Sequence, residues 1–334
     1  MQRNDRIGRA LKLRDLHTFR AVAERRSMTK AAADLALTPA AISKAIGDME
    51  TLIGVRLLER TPKGVAPTLY GEALLKGTVK VFDELRQTIG QVESLADPTA
   101  GETRIGATEH VLGGLLTVVL DRLSRLYPKM VFHISTSNGP DEFRRALRAR
   151  AIDVFISRID TEPEEDLEKE VLFDDPLVVI TSRANPSFRS RHVRLAQMLE
   201  QAWCMPDESH MIGILVRQAF LAQGLAMPKV CVTSPSMNMQ TAMAQTGRFF
   251  SVVAEAYLRF RTDRSSLRIV PVDLRVNPPP VAIVTLKHRV QSSVTKLFIE
   301  CVRAVSKESG LSTPQGDANG LAARKIKGAG STRL

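Results

Sequence analysis

The sequence predicts an α/β protein with an all-α N-terminal part of the winged helix-turn-helix type. Three observations support this fold class. Residues 16–58 show the apolar spacing of short helices, residues 69–96 show that of one long helix, and strand and helix patterns alternate over residues 101–306. A chain of 334 residues is long enough for more than one buried core.

The N-terminal part is predicted to contain three helices with caps that the sequence makes visible. Ser27 can cap the second helix, and Thr38 followed by Pro39 is a typical start for the third. Gly54 is a suitable C-terminal cap. The apolar positions recur at helical spacing, and we expect them to face one core: Leu16, Phe19, Val22, Ala23, Ile42, Ile46, Met49 and Leu52.

A hairpin and a long helix are predicted to follow. The segments 56–60 and 65–68 flank the turn 61–64, which suits a short β-hairpin or wing. On the helix, Leu75, Phe82, Ile89 and Ala96 recur every seven residues, with Thr78, Leu85 and Val92 between them. Such a seam favours pairing with a second copy of the chain, and packing within the same chain is the alternative.

Residues 97–101 have the composition of a hinge, and the pattern beyond them is that of an α/β domain built on parallel sheets. The predicted strands are 103–107, 131–136, 153–157, 177–181, 229–233, 250–254, 267–272 and 281–285. The predicted helices are 112–126, 141–150, 211–223, 237–245 and 292–306. The tail 311–334 is basic and rich in Gly, Ser and Ala, and we expect it to be disordered.

The positive charge lies at the two ends of the chain. Residues 1–67 hold 13 Lys and Arg against 7 Asp and Glu, and residues 303–334 hold 6 against 2. The middle holds 28 against 27, which leaves it nearly neutral. A basic N-terminal part is one that a phosphate backbone attracts.

Several classes of protein are disfavoured by what the sequence contains. The apolar stretches fall far short of the roughly 20 residues that a membrane span needs, and the charged start does not resemble a signal peptide. Three dispersed cysteines suit reduced thiols, so we expect a cytoplasmic protein with no membrane partner. The six histidines show no metal-ligand spacing, and nucleophile and phosphate-loop motifs are missing. We therefore expect no metal, no cofactor and no enzymatic activity.

The stretch from Asp15 to Thr68 carries the most specific pattern in the chain. The run 16–24 is followed by Ser27-Met28-Thr29-Lys30-Ala31-Ala32, then by Ala41-Ile42-Ser43-Lys44, and finally by the run 54–60. This pattern closely resembles the winged helix-turn-helix of LysR-type transcriptional regulators. The resemblance covers about the first 95 residues of this chain.

The resemblance implies a domain layout. Residues 11–68 would form the DNA-binding domain, 69–96 the linker and dimerisation helix, and 101–306 an effector-binding domain similar to periplasmic binding proteins. That domain would consist of subdomain I (102–172 and 276–306) and subdomain II (173–275).

The outer face of the third helix is small and polar, so it can enter a major groove closely. There Ser43 and Lys44 can reach base edges, Thr38 can face a phosphate, and basic side chains of the wing can contact the backbone. Many family members have Gln-Pro at the start of this helix, and this chain has Pro39-Ala40, which loses a side chain able to recognise adenine. The predicted DNA-binding residues are Thr38, Pro39, Ala40, Ser43, Lys44, Arg56, Arg60 and Lys63.

In open α/β sheets ligands collect beyond the carboxyl ends of the strands, where helix N-termini favour anions. Hydroxyls, amides and one arginine converging there suit a small carboxylate, although loops after strands are polar in any α/β protein. Glu109 and His110 favour a ligand that also carries a donor group. The predicted effector-binding residues are Thr108, Glu109, His110, Ser137, Asn138, Arg158, Ser209, His210 and Ser236.

The predicted function is sequence-specific binding of double-stranded promoter DNA under the control of a small-molecule effector. The resemblance implies a dimer through residues 69–96 that pairs further into a tetramer, and RNA polymerase is a further candidate partner. Two alternatives are an enzyme with a basic accessory domain and an architectural DNA-binding protein without an effector. The architectural alternative gives no role to the nearly neutral α/β part of about 200 residues.

Overall fold

The computed structural model describes residues 10–62, 64–97, 99–137, 139–187, 192–260 and 266–310. Lys63, Asn138 and the tail 311–334, on which predictions fall, lie outside the described residues. The chain divides into two compact units, residues 1–92 and 93–334.

The first unit begins with three helices: α1 (Leu13–Arg25), α2 (Met28–Asp34) and α3 (Pro39–Ile53). The predicted caps are present. The Ser27 hydroxyl accepts a hydrogen bond from the backbone N–H of Lys30, and the Thr38 hydroxyl accepts one from Ala41. Gly54 ends α3 at a φ of 86°, which favours glycine. The core of this unit is formed by buried apolar side chains, namely Phe19, Val22, Ala31, Ala32, Ile42, Ile46, Met49, Leu57 and Leu58.

The wing consists of the antiparallel strands β1 (Leu58–Thr61) and β2 (Gly64–Pro67). The Glu50 carboxylate on α3 accepts hydrogen bonds from the backbone N–H groups of Leu57, at 2.7 Å, and Leu58, at 3.1 Å. The Val65 N–H donates to the Arg26 carbonyl between α1 and α2. These contacts hold the wing in a fixed position beside α3.

A long helix, α4 (Leu69–Ala96), follows the wing. The predicted heptad seam along it has two parts, one packed against the first unit and one exposed. Leu75 packs against the core of the first unit, and the Phe82 ring contacts His17 and Arg20 of α1. Phe82 therefore has an intrachain partner, and the prediction that the whole seam faces a second chain is wrong at this position. Beyond it, Ile89 and Val92 are 50% and 63% exposed.

The second unit contains two five-stranded sheets. In chain order its strands are β3 (Gly101–Ala107), β4 (Met130–Ser135), β5 (Val154–Arg158), β6 (Leu167–Phe173), β7 (Leu177–Ser182), β8 (Ala202–Met205), β9 (Val230–Thr233), β10 (Phe249–Ala254), β11 (Leu267–Val270) and β12 (Val281–Leu286). The first sheet has the order β4-β3-β5-β12-β6, and the second has the order β11-β7-β10-β8-β9.

The helices of this unit are α5 (Glu109–Val111), α6 (Thr117–Leu126), α7 (Pro140–Arg148), α8 (Met211–Leu221), α9 (Met237–Gln245), α10 (Glu255–Arg259) and α11 (Ser293–Glu308). A π-helical turn (Leu112–Leu116) joins α5 to α6, and a 3₁₀ turn (Leu195–Met198) precedes β8. In the part of the chain that is described, no helix has the length and apolarity to cross a membrane.

The expectation of parallel sheets is only partly correct. The pairs β3–β4, β3–β5, β8–β9 and β8–β10 are parallel, whereas β12 runs antiparallel to β5 and β6, and β7 runs antiparallel to β10 and β11. Strands β7 and β12 are the first strands after the chain passes from one sheet to the other. The connections before them contain no helix, and parallel neighbours usually need a helical connection that brings the chain back to the same end of the sheet.

The chain crosses between the sheets twice, at residues 174–176 and 271–280. We call these segments the two crossovers. They divide the second unit into two subdomains, each with an apolar core, and Ala256 and Phe260 of the second subdomain pack into the core of the first. The predicted two-subdomain α/β architecture is therefore confirmed, and any movement of one subdomain against the other must pass through the two crossovers.

Candidate functional site

Helix α3 presents a clean division between a buried and an exposed face. Ile42, Ile46 and Met49 are buried, whereas Ser43 and Lys44 are exposed. Ala40 is exposed beside them, so the outer face is formed by short side chains over its first turns. This shape can lie close to the floor of a major groove.

The wing supplies positive charge next to this face. Arg56 and Arg60 are exposed, and neither forms an ion pair with another described residue. The Thr38 hydroxyl caps α3 and keeps its own hydrogen available for donation, and the Ala40 N–H is also available, since Pro39 has no N–H and the N–H groups of Ala41 and Ile42 bind Thr38. These groups can hold phosphates on either side of the groove.

A cavity of about 410 Å³ lies in the second unit, where the loops after β3, β4 and β5 meet loops of the other sheet. The volume falls within the range of small-molecule sites. Seven of the nine predicted effector-binding residues line it: Thr108, Glu109, His110, Ser137, Arg158, His210 and Ser236. Ser209 does not, because its hydroxyl and backbone N–H both bind the Asp207 carboxylate.

Arg158 lies in a deeply buried part of the lining, with 1% of its surface exposed. Its Nη2 lies 2.8 Å from Oδ2 of Asp175, an ion-pair contact without hydrogen-bond alignment. Its Nη1 donates to the carbonyl of Pro279 at 3.3 Å. Asp175 belongs to one crossover and Pro279 to the other, so a single side chain that borders the cavity is bound to both.

Asp175 also has a second contact, with the backbone of α10. Its Oδ1 accepts a hydrogen bond from the Ala256 N–H at the start of α10. Burial raises the pKa of Asp175 and lowers the pKa of Arg158, since desolvation of each ion outweighs the attraction of its partner. Each side chain therefore depends on the other to remain charged.

His110 is buried beside Arg158. Burial, aided by the positive charge of Arg158, holds the pKa of His110 well below its usual value. The imidazole is therefore neutral at pH 7, where it can donate one hydrogen bond and accept another.

Four buried polar atoms of cavity residues have no hydrogen-bond partner among the described residues: Thr108 Oγ1, His110 Nε2, and Nε and Nη2 of Arg158, of which Nη2 is in ion-pair contact with Asp175. Such groups are normally paired in folded proteins, and leaving one unpaired is costly. Their concentration at one cavity makes it a place where a polar ligand can complete their hydrogen bonding.

Helix N-termini contribute to the same cavity. The first residues of α7, α8 and α9 line it, through Pro140, Met211 and Met237. Asp141 and Glu142 follow at the start of α7, whereas the first turn of α8 contains no acidic residue and His210 provides no side-chain cap. The amino end of α8 is therefore the more favourable place for an anion.

Sequence reasoning missed three kinds of site residue: Asp175, the polar residues Thr136 and Ser157, and the apolar part of the lining. Asp175 was missed because its role depends on a contact with Arg158 that only the fold creates. The apolar part of the lining was missed because apolar residues give no chemical signal: Leu112, Pro140, Pro206, Met211, Ile212, Pro235 and Met237. Position in the sequence could have identified the apolar residues, because all of them flank the predicted polar loops.

Two family models match the chain. Residues 13–72 match the family described as "Bacterial regulatory helix-turn-helix protein, lysR family", and residues 96–307 match the "LysR substrate binding domain". The chain belongs to the LysR family of transcriptional regulators, with a DNA-binding helix-turn-helix and a ligand-binding domain. This confirms the family resemblance, and regulators of this family are not enzymes.

Similar proteins cover both units. The HTH-type transcriptional regulator GbpR of Azospirillum brasilense is 26% identical over 298 residues, which are 89% of this chain and 87% of GbpR. Among solved structures, ArgP from Mycobacterium tuberculosis has a TM-score of 0.65 at 20% identity, covering 90% of this chain and 98% of ArgP. Full-length CbnR complexed with its target DNA has a TM-score of 0.60 at 19% identity, covering 88% of this chain and all of CbnR. At these identities the two structures show a shared fold.

The buried ion pair gives the first prediction. Replacing one partner leaves the other charge buried and unpaired, so Asp175→Asn should lower the free energy of unfolding by about 3–5 kcal/mol in urea denaturation. The asparagine can keep the hydrogen bond from Ala256, so the loss isolates the charge. Glu308→Gln breaks an exposed ion pair with Arg122 and is the matched control. We expect it to leave the urea midpoint almost unchanged. An Asp175→Asn midpoint as high as that of the control would contradict the assigned role.

Proposed function

We propose that a small carboxylate, bound in the cavity of the second unit, controls the sequence-specific DNA binding of this regulator. The observation that carries the proposal is the group of unpartnered buried atoms on Thr108, His110 and Arg158 around one cavity. The amino end of α8 adds a favourable place for the carboxylate.

In this proposal DNA is recognised in two ways. Ser43 and Lys44 contact base edges in the major groove, and the remaining predicted residues position the helix on the backbone. Those positioning residues are Thr38, Pro39, Ala40, Arg56, Arg60 and Lys63.

Arg158 is the group through which the effector would act. A ligand oxygen bound at its free Nε would compete with Asp175 and Pro279 for the guanidinium. Because those two residues belong to the two crossovers, a shift of the guanidinium would bias the angle between the subdomains. The effector would then favour one arrangement of the assembly by its differential affinity for the two states.

The assembly that we propose is a dimer through α4 that pairs into a tetramer through the second unit. The exposed stripe on α4 consists of Val81, Leu85, Ile89, Val92 and Leu95, spaced to lie on one side of the helix. In the second unit, edge strands β4 and β9 expose Val131, Ile134 and Val230, and α8 exposes Ile214 and Leu221. These are surfaces that a partner subunit would cover.

Each dimer would bind two promoter half-sites, and RNA polymerase would be the further partner at the promoter. We place the protein in the cytoplasm with its DNA. An architectural DNA-binding protein without an effector is the second candidate function. The cavity with its unpaired polar atoms favours the regulator, since a purely architectural protein would have no ligand to pair with them.

The recognition face can be tested by the double variant Ser43→Ala and Lys44→Ala. A good base contact is worth about 1–3 kcal/mol, so specific affinity should fall about tenfold or more, whereas salt-sensitive non-specific binding remains. DNase footprinting and fluorescence anisotropy on the bound promoter measure both. Lys76→Ala removes an exposed lysine of α4 and should bind as the wild type does. An unchanged footprint from the double variant would refute the assignment.

The cavity can be tested by a pair of Thr→Val variants. Thr108→Val removes an unpartnered hydroxyl, so the ligand-free protein should keep its stability while ligand affinity falls about fivefold. Thr103→Val removes a buried hydroxyl that is paired with Thr295 at 2.9 Å. It should lose about 1 kcal/mol of stability and keep its affinity.

The measurement for this pair is thermal shift with a panel of small carboxylic acids, with and without an amino group, followed by titration of each compound that stabilises the protein. If no member of the panel raises the melting temperature of the wild type, the carboxylate-effector proposal fails.

The dimer surface can be tested by Ile89→Asp, which places a charge in the exposed stripe of α4. Burying that charge at an interface is unfavourable, so the dissociation constant should rise at least about tenfold and the assembly mass should halve in light scattering. Thr88→Asp adds the same charge one residue away and should leave the mass unchanged. Equal masses for both variants would exclude this stripe as the contact.

A further inference from the structure

The cavity contains a carboxylate of its own. Glu109 lines it directly after β3, and its Oε1 accepts hydrogen bonds from the Ser236 hydroxyl at 3.1 Å and the Asn238 N–H at 3.4 Å. Ser236 is the N-cap of α9 in the other subdomain. The amino end of α9 is thus already supplied with an anion, and the amino end of α8 is not.

The charge of Glu109 is not neutralised by another side chain of the lining. Arg158 is already paired with Asp175, and no ion pair joins Glu109 to another described residue. His110 is buried and uncharged at pH 7. Histidines apart, Glu109 and Arg158 are the ionisable residues among those that line the cavity.

This arrangement selects among carboxylates. A ligand carboxylate at the amino end of α8 shares a cavity of about 410 Å³ with Glu109, so the two negative charges repel each other at short range. A ligand that also carries an ammonium group turns this repulsion into attraction, because the ammonium can pair with Glu109. The rest of the lining is mostly apolar, with Leu112, Met211, Ile212 and Met237 among its residues.

We propose that the effector is a zwitterion, an α-amino acid with an apolar side chain. Its ammonium group binds the Glu109 carboxylate, its carboxylate binds the amino end of α8, and its side chain contacts the apolar lining. This inference rests on the proposed carboxylate effector and adds the second charge to it.

The test compares matched ligands by calorimetric titration. The probes are L-leucine and L-phenylalanine, the same acids without the amino group (4-methylpentanoate and 3-phenylpropanoate), and the same amines without the carboxylate (3-methylbutylamine and 2-phenylethylamine). The wild type should bind at least one amino acid at least tenfold more tightly than either of its two partial analogues. In Glu109→Gln the preference over the deaminated acid should fall below threefold.

Glu308→Gln is the matched control, because it makes the same substitution at an exposed carboxylate that does not line the cavity. It should retain the preference for the amino acid. Unchanged circular dichroism and melting temperatures of the free variants show that both are folded.

The outcomes separate this inference from the proposed function. If the deaminated acids bind as tightly as the amino acids, the effector is a plain carboxylate and the zwitterion inference is overturned. If Glu109→Gln weakens both kinds of ligand equally, Glu109 acts by closing the cavity, and the inference is again overturned while the carboxylate effector stands. If neither kind binds, the proposed carboxylate effector fails with it.

Discussion

The ion pair between Arg158 and Asp175 connects the parts of the ligand-binding unit. Two charges at this depth are stable only together, so the end of β5 is tied to the first crossover by the cost of separating them. The bond from Arg158 to the Pro279 carbonyl adds the second crossover, and the bond from Asp175 to the Ala256 N–H adds the start of α10. One guanidinium that borders the cavity therefore helps to set the relative position of the two subdomains, together with the hydrogen bond from Ser236 to Glu109 and the packing of Ala256 against the core of the first sheet.

This arrangement explains why polar atoms can remain unpaired next to the pair. A guanidinium bound to both crossovers cannot turn to satisfy its own Nε, and its positive charge helps to keep the neighbouring His110 neutral. The local cost of unpaired groups is tolerated because the ion pair and the surrounding apolar cores fix the backbone. A ligand that pairs with these atoms would gain hydrogen bonds and would contact Arg158, which is bound to both crossovers.

The sequence predicts local elements well and long-range contacts poorly. Caps such as Thr38 and Gly54, and the carboxyl ends of β3, β4 and β5, follow from local residue chemistry, which is why seven cavity residues could be named in advance. Three features could be seen only in the three-dimensional structure. Strand direction depended on crossovers without helices, Phe82 found a partner on α1, and Arg158 found Asp175. In each case the deciding neighbour is distant in sequence and has no pattern of its own.

The composition of the recognition face has a consequence for assembly. With Pro39 and Ala40 at the start of α3, the base-contacting groups that we propose are Ser43 and Lys44, worth about 2–6 kcal/mol together. Specific binding typically exceeds non-specific binding by about 4–10 kcal/mol. One subunit thus reaches only the lower part of that range, whereas two subunits on two half-sites reach it fully. For the proposed recognition face, pairing of two subunits supplies the missing discrimination, and the exposed stripe of α4, with Ile89 and Val92, is the surface of the first unit that we propose for it.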